Sequence, residues 1–362
     1  MFISFLIFCT IVLLLCPTLV WLLCWIVARL CHHSMPFAPF AYTGLALILL
    51  FCGTMLYGYW FGRKQLRVTE TTYTSPQIPA AFNNYKIVHI SDLHLSSFAD
   101  SPTFLQCIID TINAQQPDLI CFTGDFVGFG VEEAIPFTHI LRQLHAKDGI
   151  MTVLGNHDFA LYHHGLTDVD KEEKVNQLTV YQRDTLGWQL LRNQSYFIQR
   201  DTAFLQIIGV DNTSCQGQGF QTISRGDLSA AITSLSQEPR TKSQDISVTT
   251  KQTEVISLDS LFLAPESKIM QILLSHDPSH WRGEVIPKTD IPLTLSGHTH
   301  AGQVRLFGYP LSSLMFTESE GWYHTTQHHA TQSLHINTGL GCTLPVRIGV
   351  PPEITVITLQ KQ

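Results

Sequence analysis

At 362 residues the chain is long enough for one large domain or two small ones, and it carries 22 basic against 29 acidic side chains, a net charge of −7. That balance argues against nucleic acid as a partner for the surface as a whole, since phosphate-backbone binding draws on clustered Lys and Arg. Nine cysteines, with no CxxC or paired spacing among those outside the apolar segments, describe neither a disulfide framework nor a zinc ribbon and fit a reducing compartment.

The apolar content is concentrated at the start. Residues 2–28 carry no charged side chain, and neither do residues 36–61; each run exceeds the roughly 20 residues that cross a bilayer core. A signal peptide would need a basic leader, a shorter apolar run and a small-residue cleavage site, none of which is evident. The reading is a two-helix transmembrane hairpin over residues 1–62. Arg29 is alone among basic residues of the connecting loop, beside His32 and His33, whereas Arg63, Lys64 and Arg67 follow the second run. Retention of Lys and Arg on the inner side then places the rest of the chain in the cytoplasm, tethered to a bacterial-type inner or plasma membrane. Tyr57, Tyr59 and Trp60 suit an interfacial aromatic belt at the same end.

Residues 63–84, Thr-rich and Pro-containing over 68–79, read as a linker to a domain over 85–362. Within it, residues 85–90 form an expected strand, 103–114 a helix with Phe104, Ile108, Ile109 and Ile112 near helical spacing, 118–123 a strand, 136–145 a helix and 149–154 a strand. Further strands are expected at 205–209, 269–274, 291–296, 335–338 and 353–359. This alternation predicts an α/β fold, a four-layer or sandwich-like arrangement of mixed β-sheets flanked by helices. Residues 213–260, rich in Ser, Thr, Gln and Gly with one short helix at 228–235, read as a polar surface insertion, partly disordered for want of apolar area.

Five short motifs end these apolar runs: Asp92-Leu93-His94, Gly124-Asp125, Gly155-Asn156-His157-Asp158, Ser275-His276-Asp277 and Gly297-His298-Thr299-His300. They fall at the carboxyl ends of strands, where open α/β sheets place ligand-binding loops. The donors are nitrogen and oxygen only, enough of them for two hard or borderline divalent ions. Strand alternation would put Asp92 and His94 on one side, within reach of one ion. Asp125 supplies a carboxylate that can bridge two cations, Asn156 a neutral amide oxygen, and His157 a ring that could face substrate. His298 and His300 would direct their rings to different ions, with His276 completing the second.

The ordered series DLH, GDFVG, GNHD, SHDP and GHTHAGQ, with Asn337-Thr338-Gly339 and Pro351-Pro352-Glu353-Ile354 near the end, resembles the calcineurin-like metallophosphoesterase superfamily. The wording around the motifs is similar to its membrane-associated YkuE/YaeI-like branch, which includes UDP-2,3-diacylglucosamine pyrophosphatases of the LpxG type. The resemblance spans about residues 85–360 and implies the sandwich fold of that superfamily. It also implies that Asp92, His94, Asp125 and His300 hold one metal, while Asp125, Asn156, His276 and His298 hold the other. A metal-bridging hydroxide would attack phosphorus, and His157 would protonate or hydrogen-bond the leaving group, with Asp158 its alternative orienting partner or merely a supporting group behind the ligands. Two divalent ions are implied, manganese foremost, with Fe, Zn, Co or Mg as alternatives. In several relatives an acid or His three positions after the bridging Asp supports the catalytic His; here that position is Gly128. Ala301 likewise replaces a common Gly.

Other tempting residues have plainer readings. His163 and His164 read as loop histidines, and His324, His328 and His329 as a cluster by density only. Arg305 could contact phosphate or form a structural ion pair. The apolar stretch 306–323 could be a lip for an acyl chain, with packing against the sheet as its ordinary reading. The expected function is a membrane-anchored phosphoester or pyrophosphate hydrolase acting on a lipid or nucleotide-linked lipid. A broad phosphodiesterase on soluble substrates is the alternative within enzymes, and a non-catalytic metal-stabilised binding domain the alternative outside them.

Overall fold

A computed structural model describes residues 2–163, 165–215, 217–219, 222–234, 268–327 and 330–362. The chain opens with helices α1 (Phe2–Leu30) and α2 (Ala38–Trp60), which pack on one another. Both are long and apolar enough to cross a membrane by length and composition. The strands that follow are β1 (Arg67–Ser75), β2 (Lys86–Ile90), β3 (Leu119–Phe122), β4 (Ile150–Thr152), β5 (Gln189–Leu190), β6 (Gln194–Arg200) and β7 (Ala203–Gly209). After them come β8 (Lys268–Leu274), β9 (Leu293–Ser296), the short pair β10 (Arg305–Leu306) and β11 (Tyr309–Pro310), then β12 (Gly321–Gln327), β13 (Ala330–Ile336) and β14 (Glu353–Lys361).

Two six-stranded sheets result, ordered β1-β14-β2-β3-β4-β5 and β12-β13-β9-β8-β7-β6. Strands β2 to β5 run parallel, as do β13, β9, β8 and β7, while β14 against β2, β6 against β7 and β12 against β13 are antiparallel. Because side chains alternate along a strand, Ile87 and Val88 face opposite ways. Ile87, Leu119, Cys121 and Met151 of the first sheet meet Leu205, Ile207, Met270, Ile272 and Leu295 of the second between the sheets. On the outer face, Val88, Ile90, Ile120 and Phe122 receive Leu105, Ile108, Ile109 and Ile112 of helix α3 (Pro102–Ala114). Ile208 and Leu273 of the second sheet are covered by Trp281, Val285 and Leu228. These are the expected mixed sheets flanked by helices.

Three expectations require correction. The stretch expected as a linker, 63–84, contains β1, paired in parallel with β14 from Arg67↔Glu353 to Ser75↔Lys361. Its polar Thr and Glu residues suit an edge strand, where one side meets water. The helix expected over 136–145 shrinks to Thr138–Leu141, labelled α4. Asn113 of α3 donates to the Gln143 carbonyl and accepts from the His145 N–H, a group that a helix through 145 would have bonded internally. The insertion expected at the surface over 213–260 is in part a packed segment. Ser214 donates to Asp277 (2.5 Å), the Cys215 N–H donates to Ser279, and Leu228 and Ala231 are buried. The remainder of that expectation, 235–260, lies outside the described residues, as do His164, His328 and His329.

The end of α2 is seated on the domain. A side chain at Gly62 would come within 1.9 Å of the Arg347 carbonyl, and one at Gly58 within 2.9 Å of Ile348, so only glycine permits this approach. Arg63 pairs with Asp100 and lies over the Tyr59 ring, and the Arg347 N–H donates to the Gly58 carbonyl.

Candidate metal centre

All the motif residues converge where β2, β3, β4, β8 and β9 end. The turns that carry them are left-handed: φ is 52° at Asp92, 40° at His94, 56° at Asp125, 71° at His298 and 49° at His300. Non-glycine residues pay for such conformations, and their concentration here marks a strained, functional loop cluster. This also corrects the expected geometry. Strand β2 stops at Ile90 and β9 at Ser296, so Asp92 with His94, and His298 with His300, are aimed by turns rather than by strand alternation.

Asp125 occupies the centre. Its Oδ2 lies 3.5 Å from His94 Nε2 and 3.3 Å from His276 Nε2. On one side, His300 Nε2 lies 3.2 Å from His94 Nε2 and 3.3 Å from Asp92 Oδ1. On the other, His276 Nε2 lies 3.1 Å from Asn156 Oδ1 and 3.3 Å from His298 Nδ1. The expected donors thus form two groups that share one carboxylate. The Gly155 backbone passes so close that a Cβ there would sit 2.3 Å from Asp125 Oδ1.

The donor set fits divalent cations. Asp92 Oδ1 is buried and has no hydrogen-bond partner, although buried polar atoms are ordinarily satisfied. A cation between Asp92, His94 and His300 would satisfy it, and the absence of thiolate among the donors suits hard or borderline metals. Protonation of three of the rings points the same way. Burial pushes His94 down to about 3 and also lowers His298 and His300, which keeps those rings neutral with lone pairs to offer. Burial also raises Asp92, partly countered by His276, to about 6. Although burial disfavours the Asp125 charge, His276 and His157 outweigh it and hold the carboxyl well below its ordinary range. Burial likewise disfavours a charge on His276, but Asp125 and Asp92 lift that ring to about 10.

Neighbours fix each ring. The His276 Nδ1–H donates to the Thr123 carbonyl at 2.6 Å, leaving Nε2 for the centre. His298 Nε2 faces Asp277 at 3.9 Å, which leaves its Nδ1 inward. His157, the expected proton donor, stands beside the shared carboxylate: its backbone N–H donates to Asp125 Oδ1 (2.9 Å), and its ring meets that of His94 at 4.8 Å. The support missing at Gly128 is supplied by that residue's backbone. His157 Nδ1 lies 3.2 Å from the Gly128 carbonyl, so Nδ1–H donates there and Nε2 is the atom left to face substrate.

Asp158 does not orient His157. Its carboxylate accepts four backbone N–H groups, from Asp125, Phe126, Val127 and Gly155, at 2.9–3.1 Å. It is a positioning residue for the Asp125 loop. Burial, reinforced by the Asp125 charge, raises it to about 8.

Two residues escaped the motif reading. Tyr162 receives a hydrogen bond from Asn156 Nδ2 (3.0 Å), which turns the amide oxygen toward His276, and its ring packs at a tilt against that of His157 at 4.4 Å. Arg347 is fully buried, donates to the carbonyls of Thr338, Gly339 and Gly341, and lies 3.2 Å from His300 Nδ1. A lone Arg between apolar residues, close to Pro351-Pro352-Glu353, was the available signal.

The remaining candidates are resolved by their contacts. Arg305 pairs with Glu320 (2.6 Å) and donates to the carbonyls of Gly308 and Gly349, a structural role. His163 sits against Phe129, and His324 bonds Ser333 and stacks on Trp322, away from the donor groups.

The calcineurin-like phosphoesterase family pattern matches residues 85–302. The chain is 31% identical to the uncharacterized metallophosphoesterase YkuE of Bacillus subtilis, over 84% of this chain and 90% of that protein. It is 26% identical to the UDP-2,3-diacylglucosamine pyrophosphatase LpxG of Chlamydia trachomatis, over 81% and 88%. A transmembrane protein with metallophosphoesterase domain from Danio rerio is 23% identical over 92% of this chain and 66% of its own length. With the fold and the donor cluster in place, these matches identify the chain as a member of the calcineurin-like metallophosphoesterase family, a metal-using hydrolase of phosphoester bonds.

Proposed function

We propose that the protein is a membrane-anchored hydrolase of phosphoester or pyrophosphate bonds that uses two divalent ions, manganese foremost, on a lipid or nucleotide-linked lipid. The observation that carries this reading is the position of Asp125 Oδ2, 3.5 Å from His94 and 3.3 Å from His276, between two donor groups. Asp92, His94, Asp125 and His300 would hold one ion, and Asp125, Asn156, His276 and His298 the other. When bound, such ions supply an activated water and offset charge on the phosphoryl oxygens. His157, held through Nδ1 by the Gly128 carbonyl, would in its doubly protonated form offer its Nε2–H to the departing oxygen. Asp158 keeps the Asp125 turn in place throughout.

Two apolar helices and the similarity to a transmembrane relative support the anchor, with residues 1–62 as hairpin. Arg63, Lys64 and Arg67 after the second helix support a cytoplasmic site. Similarity to the UDP-2,3-diacylglucosamine pyrophosphatase supports the substrate class. The test is hydrolysis by the purified full chain with added manganese, across a UDP-linked diacyl sugar, an aryl diester, an aryl monoester and a cyclic nucleotide. Preference for the UDP-linked lipid is expected. Preference for the soluble diester would replace this reading with the broad phosphodiesterase, and equal rates for wild type and Asp125→Ala on every substrate would remove the two-ion mechanism.

A further inference from the structure

The stretch considered as an apolar lip divides in two. Its later part is packed: Phe316 lies against His298 (5.6 Å), and Trp322 stacks on Tyr73 and donates to Thr71. Its earlier part is bare. Phe307 is 100% exposed, Leu314 82% and Tyr309 74%, with Leu306, Leu311 and Met315 also open to solvent. Residues 306–315 contain no charged side chain. An uncharged, apolar protrusion of this kind is costly in water unless something covers it.

We propose that the β10–β11 hairpin and the turn after it, Leu311–Leu314, form a wedge that enters the interfacial layer of the lipid bilayer and holds the metal cleft against the membrane surface. This rests on the anchored reading above. The occupant is a bilayer rather than a protein because the hairpin grows from the place where α2 meets the domain. Gly58 and Gly62 at the end of α2 touch Arg347 and Ile348. Ile348 is hydrogen-bonded in both directions to the base of the hairpin, through the Gln303 carbonyl and the Arg305 N–H, each at 2.8 Å. Exposed Tyr57, Trp60 and Phe61 mark the level at which α2 would leave the bilayer. From Arg305 to the tip at Phe307 is only about 7 Å of strand, a distance within the depth of the headgroup layer, and apolar side chains lodge roughly 5–10 Å deep there. Arg305 braces the protrusion by bonding the Gly308 carbonyl and Glu320.

The other end of the wedge touches the site. Leu314 and Met315 lead directly into Phe316 on His298, and a side chain at Gly302 would meet Ser312 at 2.7 Å, so the turn rests on the loop that carries His300. An apolar path therefore runs from the proposed bilayer contact to the rim of the cleft. A substrate with acyl chains could present its phosphorus there without leaving the membrane.

The experiment places a photocrosslinking phenylalanine analogue at position 307, at position 49 on α2, or at position 201, which is exposed in the β6–β7 turn at the far end of the second sheet. Each full-length protein is reconstituted into vesicles of phosphatidylethanolamine and phosphatidylglycerol, irradiated and analysed for lipid adducts by mass spectrometry. The wedge predicts adducts at 307 within about threefold of those at 49, and none above background at 201. Adducts at 49 alone would overturn the wedge and leave the anchor standing. Adducts at neither would overturn both.

Discussion

Replacing Tyr162 by Phe isolates one bond in the candidate centre. The hydroxyl accepts from Asn156 Nδ2 at 3.0 Å, while the ring packs against that of His157 at 4.4 Å. Phe keeps the ring contact and removes the acceptor, so the Asn156 amide loses the contact that aims its oxygen inward. A neutral hydrogen bond is worth about 0.5–1.5 kcal/mol, and Tyr162 is 41% exposed, so water replaces part of it. The lower half of that range, about 0.5–1 kcal/mol, is a two- to fivefold weakening of metal affinity. The assay is titration of metal-free full-length protein in detergent with manganese, read by calorimetry. One of the two binding steps, that of the ion held by Asn156, should shift by that factor in Tyr162→Phe while the other is unchanged. Tyr162→Ala, which also removes the ring contact with His157, should in addition lower the rate of hydrolysis. Unchanged binding in both variants would refute the role assigned to the hydroxyl.

In Asp158→Asn, an amide can accept only two of the four backbone N–H bonds, so melting should drop by several degrees while the shape of the pH–rate profile is kept; a stable variant with an altered profile would return Asp158 to a proton-transfer role. His335 gives a pH dependence away from the centre, since burial lowers it from 6.5 to about 4. Above pH 6.5 both folded and unfolded states are neutral; as pH falls from there toward 4, the unfolded chain takes up a proton that the fold refuses. Stability should fall by about 2–3 kcal/mol by pH 4.5 and level off below pH 4. Thermal melts at pH 7.5 and 4.5 check this, because His335→Asn should lose less stability over that interval, and an equal loss would contradict it.

The strand-end motifs were legible because each short apolar run stops abruptly at polar residues, and the buried strands β2, β3, β8 and β9 need such runs. Strand β1 was not, since its Thr and Glu residues read as a linker until β14, from the far end of the chain, supplies a partner. Local pattern also could not show that Asp92 and His94 sit in left-handed turns, because tertiary contacts impose that conformation. The Gly128 carbonyl that supports His157 carries no side-chain signature at all. The apolar stretch 306–323 shows the same limit: aromatic side chains recur along it, yet Phe307 is bare and Trp322 is packed.

The central claim, that Asp125 bridges two ions, is tested most directly by electron paramagnetic resonance of the manganese-loaded protein. Wild type should bind two ions per chain and show the spectrum of a magnetically coupled pair, and Asp125→Ala should lose the coupling. A single isolated manganese signal in wild type, or a coupled signal that survives Asp125→Ala, would contradict the account.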